Sequence, residues 1–225
     1  EWISAVSSSV LQKNVKQDDL LEMEMSIIDK YKKPFSIACV VLVVLVGCVS
    51  LWHYLSNKSN RETLEQMYQA EAYFRAGQYD LALNGSDSLS VKGFVELAEG
   101  GSKAANMAKA YAGISYAKQG NWTEAIKYLE DFDVKGDNTV SVSALRTLAA
   151  CYANNGDVDK AVATYKKAAK NADGDSFAPV CLMEAAQLLE TQGNKADAKA
   201  LYESIKADYP QMAQTVEKYL QRVAE

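Results

Sequence analysis

Residues 113–129 read GISYAKQGNWTEAIKYL, and the pattern of residue types in this stretch decides the fold because it recurs along the chain. A small residue is followed three positions later by a large one, then by a glycine, and five positions after the glycine by an alanine. Residues 149–165 (AACYANNGDVDKAVATY) and 186–202 (AQLLETQGNKADAKALY) repeat the pattern, and an earlier copy begins at Ala70. The glycines that mark the copies are Gly77, Gly120, Gly156 and Gly193, at spacings of 43, 36 and 37 residues.

Each position of the pattern has a physical role in a pair of antiparallel helices. The small residue, such as Gly113, lets the two helices approach closely, and the large residue fills the space beside it. The glycine ends the first helix in a left-handed conformation that a Cβ atom would penalise. The alanine is the small contact on the second helix, and the side chain four residues later packs one turn away on the same face. A period of about 34 residues is typical of the tetratricopeptide repeat, so the pattern predicts about four such helix pairs.

Both ends of the repeat array depart from the pattern. Asn84-Gly85-Ser86-Asp87-Ser88 indicates a loop, after which we expect a helix to restart near Val91 and to end at Gly100-Gly101. Pro210 closes the last unit. The stretch 211–224 that follows places one apolar stripe on a helix, and we interpret it as the capping helix that repeat arrays need at their ends. The residues of this stripe are Met212, Val216, Leu220 and Val223.

An apolar segment precedes the repeats. Residues 35–55 (FSIACVVLVVLVGCVSLWHYL) contain no Asp, Glu, Lys or Arg, and as a helix they span about 31 Å, which matches the hydrocarbon core of a bilayer. Trp52 and Tyr54 lie at one end, as interfacial aromatic residues do. The alternative is a buried core helix. The expected fold class is therefore all-α: a single N-terminal transmembrane helix, then an α-solenoid of about four tetratricopeptide-type helix pairs with a C-terminal capping helix.

Flanking charges predict the orientation of this anchor. Lys30, Lys32 and Lys33 precede it, whereas Lys58 and Arg61 follow it, and cytoplasmic flanks carry the excess of positive charge. We therefore expect residues 1–34 to be a cytoplasmic arm, residues 35–55 to cross the inner membrane once, and residues 56–225 to form a periplasmic repeat domain.

Two further features of the N-terminal part remain open. Residues 1–16 show no clear periodicity, so we expect little order there beyond a short helix. Asp18 or Asp19 is a candidate cap for a juxtamembrane helix that runs to Lys33. Leu45-Val46-Gly47-Cys48 matches the cleavage box of a bacterial lipoprotein. Because the apolar run continues past Cys48, an uncleaved anchor is the favoured interpretation and lipidation the alternative.

The sequence carries little that favours catalysis. The one histidine, His53, lies at the membrane edge, and no phosphate-binding glycine loop or cluster of metal ligands is present, so we expect neither an enzyme nor a cofactor. The net charge of −5 argues against a nucleic-acid partner. We likewise expect no small-molecule substrate. Cys151 and Cys181 are expected to be buried free thiols, with a disulfide as the alternative.

The expected function is the binding of other proteins. In stacked repeats the first helices line a concave groove, and the side chains projected there are mostly small or apolar, with Arg146 as the one cation. Such a groove suits a helix or an extended apolar segment of a partner, unless several of these side chains pack between repeats instead. The groove residues are Met107, Ala110, Ile114 and Ala117 from one repeat, Ser143, Arg146, Ala150 and Ala153 from the next, and Val180, Met183, Gln187 and Glu190 from the last.

The layout of arm, anchor and repeats resembles the ancillary SecYEG translocon subunit family, and most of all its Bacteroidetes-type members. The resemblance covers roughly residues 25–225 and is carried by Tyr31-Lys32-Lys33-Pro34, Tyr73-Phe74, Ala82-Leu83-Asn84-Gly85, residues 103–113 (KAANMAKAYAG) and Asp208-Tyr209-Pro210. It implies a periplasmic repeat domain that associates with the SecYEG export channel and with a periplasmic chaperone. An envelope-assembly or cell-wall scaffold protein is the alternative function.

Overall fold

A computed structural model of the chain describes residues 2–134, 139–172 and 176–224, with side chains described from residue 37 onward. The expected all-α fold is confirmed. The chain divides into two compact units, Glu1–Ser56 and Asn57–Glu225. The basic residues before the anchor, on which the predicted orientation depends, lie outside the described side chains.

The described residues form ten α-helices and one small β-ribbon. The helices are α1 (Trp2–Arg75), α2 (Tyr79–Asn84), α3 (Phe94–Leu97), α4 (Lys103–Lys118), α5 (Trp122–Glu130), α6 (Val140–Asn154), α7 (Val158–Asn171), α8 (Ala178–Thr191), α9 (Lys195–Asp208) and α10 (Ala213–Ala224). The ribbon pairs β1 (Gly85–Ser86) with β2 (Val91–Lys92). Short 3-10 turns occupy Asp87–Leu89 and Pro210–Met212.

Helix α1 begins at Trp2, so the expectation of little order in residues 1–16 is wrong. Residues 2–33 contain no glycine and no proline, and nothing in that stretch breaks a helix. The helix is long and apolar enough to cross a membrane, and its most apolar part is not buried within the protein. Val41, the least exposed of the large apolar side chains in residues 37–55, is still 52% exposed.

The repeat pattern has produced the expected helix pairs. Helix α4 packs on α5, α6 on α7, and α8 on α9, while the end of α1 and the short α2 form the first unit. All four pattern glycines have positive φ, between 74° and 89°. At Gly156, for example, the Gly156 N–H donates to Ala153 O (3.2 Å) and the Asp157 N–H donates to Tyr152 O (2.9 Å), which is the Schellman arrangement.

Small residues allow each helix pair to close. A Cβ atom on Gly113 would lie 2.5 Å from Leu129 Cγ and 3.2 Å from the backbone oxygen of Ala125, so α5 leaves no room for a side chain there. The equivalent Ala149 and Ala186 are fully buried. The alanines of the second helices, Ala125, Ala161 and Ala198, are also fully buried. The packing roles inferred from the pattern are therefore confirmed.

The insertion after α2 differs from expectation in part: the helix restarts at Phe94, three residues after Val91, but it ends at Leu97 rather than at Gly100-Gly101. Val91 lies in β2 opposite Ser86, and the only helix before Gly100 in this insertion is the four-residue α3. Glycine makes this ribbon possible, since a Cβ on Gly93 would lie 2.0 Å from the backbone oxygen of Leu83. Phe94 then fills the first unit, where its ring stacks on Tyr111 at 5.0 Å between centroids.

The expected capping helix is present as α10. Its stripe packs on the last repeat, with Val216 and Val223 buried and Met212 and Leu220 half-buried. At the other end of the array, α1 supports the start of α4: Asn60 Oδ1 accepts a hydrogen bond from the Ala104 N–H at 2.8 Å. Both ends of the repeat unit are thus closed by specific contacts.

Replacing Gly156 by alanine is expected to destabilise the repeat unit by about 1–2 kcal/mol, because the left-handed conformation at φ 89° penalises a Cβ atom. Gly101→Ala is the matched control, since that glycine has no positive φ and no atom within 4 Å of a built Cβ. The control should be neutral or slightly stabilising. Urea unfolding followed by circular dichroism measures both; equal losses would contradict the assigned role of Gly156.

Candidate protein-binding surface

A cleft of about 330 Å³ lies between α4, α6 and α8 and is called the central cleft below. Of the predicted groove residues, it brings together Ile114, Ala117, Ser143, Arg146 and Ala150. The sequence-based set missed six further lining residues, because they come from the opposite edge of a helix, from a second helix or from a neighbouring repeat. They are Lys118, Trp122, Thr147, Asn154, Tyr165 and Glu184.

One wall of the central cleft is apolar. Ile114 and Ala117 of α4 and Trp122 of α5 are half-buried and pack against the core beneath them. Ala150 stands on the facing helix α6 and is also half-buried. Because Ala117 and Ala150 have short side chains, the space between the two helices remains open and offers a slot for an apolar group.

The other wall carries an ion pair between successive repeats. Arg146 Nε on α6 donates to Glu184 Oε2 on α8 at 2.9 Å, and Arg146 Nη2 donates to Glu184 Oε1. The hydrogen bond that Arg146 donates to Glu184 raises the pKa of Arg146 above its ordinary value. Arg146 is therefore engaged within the protein, and it is not the only cation of the cleft, since the exposed Lys118 also lines it.

Three buried titratable side chains lie near this ion pair, and one of them, Tyr165, lines the cleft. Tyr165 of α7 is 8% exposed, and burial raises its pKa to about 12. Cys151 and Cys181 are both free and fully buried, which confirms the expected thiols, and burial raises the pKa of each to about 11. Both thiols therefore stay protonated and weakly nucleophilic near neutral pH.

Two predicted groove residues lie in the core. Ala110 is fully buried against α6, and Met183 is 6% exposed in the apolar cluster that joins α8, α9 and α10. For these two, the alternative of packing between helices is the one observed. Ala153 is half-buried, and Val180 is exposed at the start of α8.

Gln187 and Glu190 line a separate cleft at the C-terminal end of the array, where Arg222 and Tyr219 of α10 face them. Glu190 accepts hydrogen bonds from Arg222 Nη2 at 2.7 Å and from Tyr202 Oη at 3.0 Å. The bond from Arg222 is the main cause that lowers the pKa of Glu190. Glu190 thus holds the capping helix in place, a role that the sequence pattern did not indicate.

Met107 lines a third cavity of about 650 Å³, called the α4–α6 pocket below. Residues 131–133, directly after α5, run along it and are fastened to α4. Asn106 Nδ2 donates to Asp133 O, the Asp133 N–H donates back to Asn106 Oδ1, both at 2.8 Å, and Lys109 Nζ lies 2.6 Å from Asp131 Oδ2. Phe132 turns inward and is 8% exposed.

The comparisons with known proteins agree with this geometry. Family models for the tetratricopeptide repeat match residues 112–176 and 181–211. Over 127 residues, which cover 52% of this chain and 72% of the relative, the chain is 31% identical to the photosystem I assembly protein Ycf3 of Prochlorococcus marinus (strain MIT 9211). The chain belongs to the tetratricopeptide repeat family. Proteins of this repeat family are typically non-catalytic modules that bind other proteins, and among the described residues no group of three metal-ligating side chains occurs.

The stability of this repeat protein is expected to depend on the ionisation of Glu190. The pKa of Glu190 is lower in the folded than in the unfolded chain. The ionised carboxylate therefore stabilises the folded chain fully above the unfolded pKa of about 4.3, and this stabilisation is lost as the pH falls through the folded pKa. Glu190→Gln should lower the urea concentration at the midpoint of unfolding at pH 7. As the solution is acidified, this midpoint should also fall less in the variant than in the wild type. Glu203→Gln, at an exposed pair with Lys199, is the control and should change neither. An unchanged acid slope in Glu190→Gln would contradict the assignment.

A double-mutant cycle measures the contact between Arg146 and Glu184. Because the pair is bidentate and about two-thirds shielded from solvent, the expected coupling in the free energy of unfolding is about 1 kcal/mol. The exposed pair Lys199–Glu203 should give a coupling near zero. A coupling for Arg146 and Glu184 no larger than that of the exposed pair would show that the bridge does not tie the two repeats together.

Proposed function

We propose that this protein is a membrane-tethered, non-catalytic adaptor that binds segments of other proteins in its central cleft. The tetratricopeptide repeats support the binding of proteins, and the long apolar helix α1 supports the tether. In this proposal residues 1–34 are cytoplasmic, residues 35–55 cross the inner membrane, and the repeats act in the periplasm.

The observation that carries the proposal is the chemistry of the central cleft. Its open slot is bounded by Ile114, Ala117 and Ala150, so an apolar side chain of a partner would remove their exposed surface from water. The ion pair of Arg146 with Glu184 is already satisfied and so offers little to a partner's single charge. A helix or an extended apolar segment fits this cleft better than a terminal carboxylate does.

The first candidate partner is a membrane machine of protein export. The resemblance of arm, anchor and repeats to the ancillary SecYEG translocon subunits supports this candidate. In that role the repeats would recruit a periplasmic chaperone or an emerging substrate while α1 holds them beside the SecYEG channel.

The second candidate is an assembly factor for an envelope or membrane complex. The similarity to Ycf3, whose name states that it assembles photosystem I, favours this class of function. The two candidates differ in the form of the complex that they bind: an accessory subunit stays bound to the finished machine, whereas an assembly factor binds incomplete complexes.

Ala150→Trp should abolish partner binding, because the indole fills the slot between α4 and α6. The matched control is Ala163→Trp, at an exposed position of α7 away from the cleft. Both chains are placed in intact cells with a photoreactive residue at Ser143, and the crosslinked proteins are identified by mass spectrometry. Crosslinks should disappear only in Ala150→Trp, with circular dichroism unchanged in both variants.

The identity of the crosslinked proteins separates the two candidates. SecYEG subunits support the export role, and subunits of an unfinished envelope complex support the assembly role. Crosslinks that persist in Ala150→Trp would show that the central cleft is not the binding site.

A further inference from the structure

Lys118, an exposed side chain of the central cleft, carries a charge that no described residue neutralises. Three charged groups line the cleft, and the other two, Arg146 and Glu184, pair with each other. The ammonium group of Lys109 in the α4–α6 pocket is likewise paired, since it lies 2.6 Å from Asp131 Oδ2. Within the described ranges nothing forms such a pair with Lys118, so the central cleft has one uncompensated positive charge in a chain whose net charge is −5.

This free charge lies next to the apolar slot of the cleft. Lys118 follows Ile114 by four residues on α4, so the two side chains lie one turn apart on the same face, about 6 Å along the helix. On α6, Asn154 follows Ala150 in the same way and also lines the cleft. Because the first helices of successive repeats run in the same direction, the ammonium and the amide lie at the same end of the slot.

The opposite end of the slot does not offer a free charge. Arg146 precedes Ala150 by four residues on α6, and Glu184 accepts hydrogen bonds from its guanidinium group. A carboxylate of a partner would have to displace Glu184 there, whereas it meets no competing carboxylate at Lys118. The cleft therefore has a direction, with an apolar slot in the middle and an available positive charge one helical turn beyond it.

The complementary ligand has a bulky apolar side chain and a carboxylate about 6 Å away on the same side. In an extended segment each residue advances about 3.3 Å and alternate side chains point the same way, so these groups belong to residues two positions apart. Trp122 at the side of the slot adds an aromatic surface for the apolar group. Lys118 and Asn154 are both exposed, and the segment can therefore continue past them.

We propose that the central cleft binds an extended segment of a partner protein in which one residue separates a bulky apolar residue from an aspartate or glutamate. The apolar side chain enters the slot between Ala117 and Ala150, and the side-chain carboxylate pairs with Lys118. Because the segment continues past Lys118, it does not have to be the C-terminus of the partner. This inference rests on the proposed function and states which class of segment the cleft accepts.

A lysine in the last turn of a helix also stabilises that helix, because the carbonyl end carries a partial negative charge. Lys118 has this position in α4, and Lys170 has it in α7. Lys170 is exposed as well, but it does not line the central cleft. Lys170→Glu is therefore the matched control for Lys118→Glu: both variants change a helix end and the net charge alike, and only Lys118→Glu changes the cleft.

The test begins with random dodecapeptides that are joined through their C-termini to a phage coat protein, so that none has a free terminal carboxylate. They are selected against the full chain in phosphatidylcholine nanodiscs. We expect the enriched peptides to share a bulky apolar residue and, two positions away, Asp or Glu. Selection on Lys118→Glu should enrich Lys or Arg at that place, because the charge at the end of the slot is reversed. Selection on Lys170→Glu should repeat the wild-type result.

Affinities then measure the pairing directly. One enriched peptide, and a version with lysine in place of its acidic residue, are titrated by fluorescence anisotropy against the wild type and Lys118→Glu. Each single reversal should weaken binding about fivefold, and both together should restore it, because the two charges are again opposite. Added salt should reduce the difference, since the pair lies at an exposed edge. If Lys118→Glu fails to fold, Lys118→Gln replaces it and should remove the preference for acidic peptides.

The same peptide preference on wild type and Lys118→Glu, or two reversals that do not compensate each other, would overturn the inference. Enriched peptides without an acidic residue would overturn it too. If those peptides still fail to bind Ala150→Trp, the proposed function stands without the inference. If no peptide is enriched on the wild type, both fail.

Discussion

Each helix pair of this protein closes where a residue with little or no side chain on the first helix meets an alanine on the second. At Gly113 the contact is so close that a methyl group would overlap Leu129. The left-handed glycine that precedes each second helix fixes the angle at which it returns. The geometry of this helix pair sets the distance between the first helices of successive repeats. The clefts between those helices therefore depend on contacts that are themselves buried and apolar.

Stacked repeats contact mainly their neighbours, so bonds between adjacent units determine how well the array holds together. Among the described residues, polar side chains provide such bonds at several positions: Asn60 to α4, Tyr152 to Glu130, Arg146 to Glu184, Arg222 to Glu190, and Lys206 to Glu217. Each uses a charged or amide group near the surface, where the apolar core ends. Two of these pairs, Arg146 with Glu184 and Arg222 with Glu190, line the clefts, and there a partner meets charged groups that are already engaged.

The local part of this architecture could be predicted from the sequence because its signals repeat. Four glycines, the paired small residues and the apolar stripe of α10 each depend on neighbours within one or two turns. The ribbon at Val91 could not be foreseen, since it depends on the backbone contact of Gly93 with Leu83. Likewise, Glu184 lies 38 residues from Arg146, and no local pattern connects them. The helical period also placed Ala110 and Met183 on the first-helix face without showing that neighbouring helices cover them.

The kind of partner that the repeats can bind depends on which side chains of the clefts are already paired within the protein and which surfaces are still open to a partner. The ion pair of the central cleft is satisfied by residues of the protein itself, so a partner's carboxylate would have to displace Glu184 to bond to Arg146, and the exposed Lys118 is the other cation that lines the cleft. An apolar side chain faces no such competition at Ala117 and Ala150. Affinity in the central cleft should therefore come from shape and from the apolar area that the partner buries.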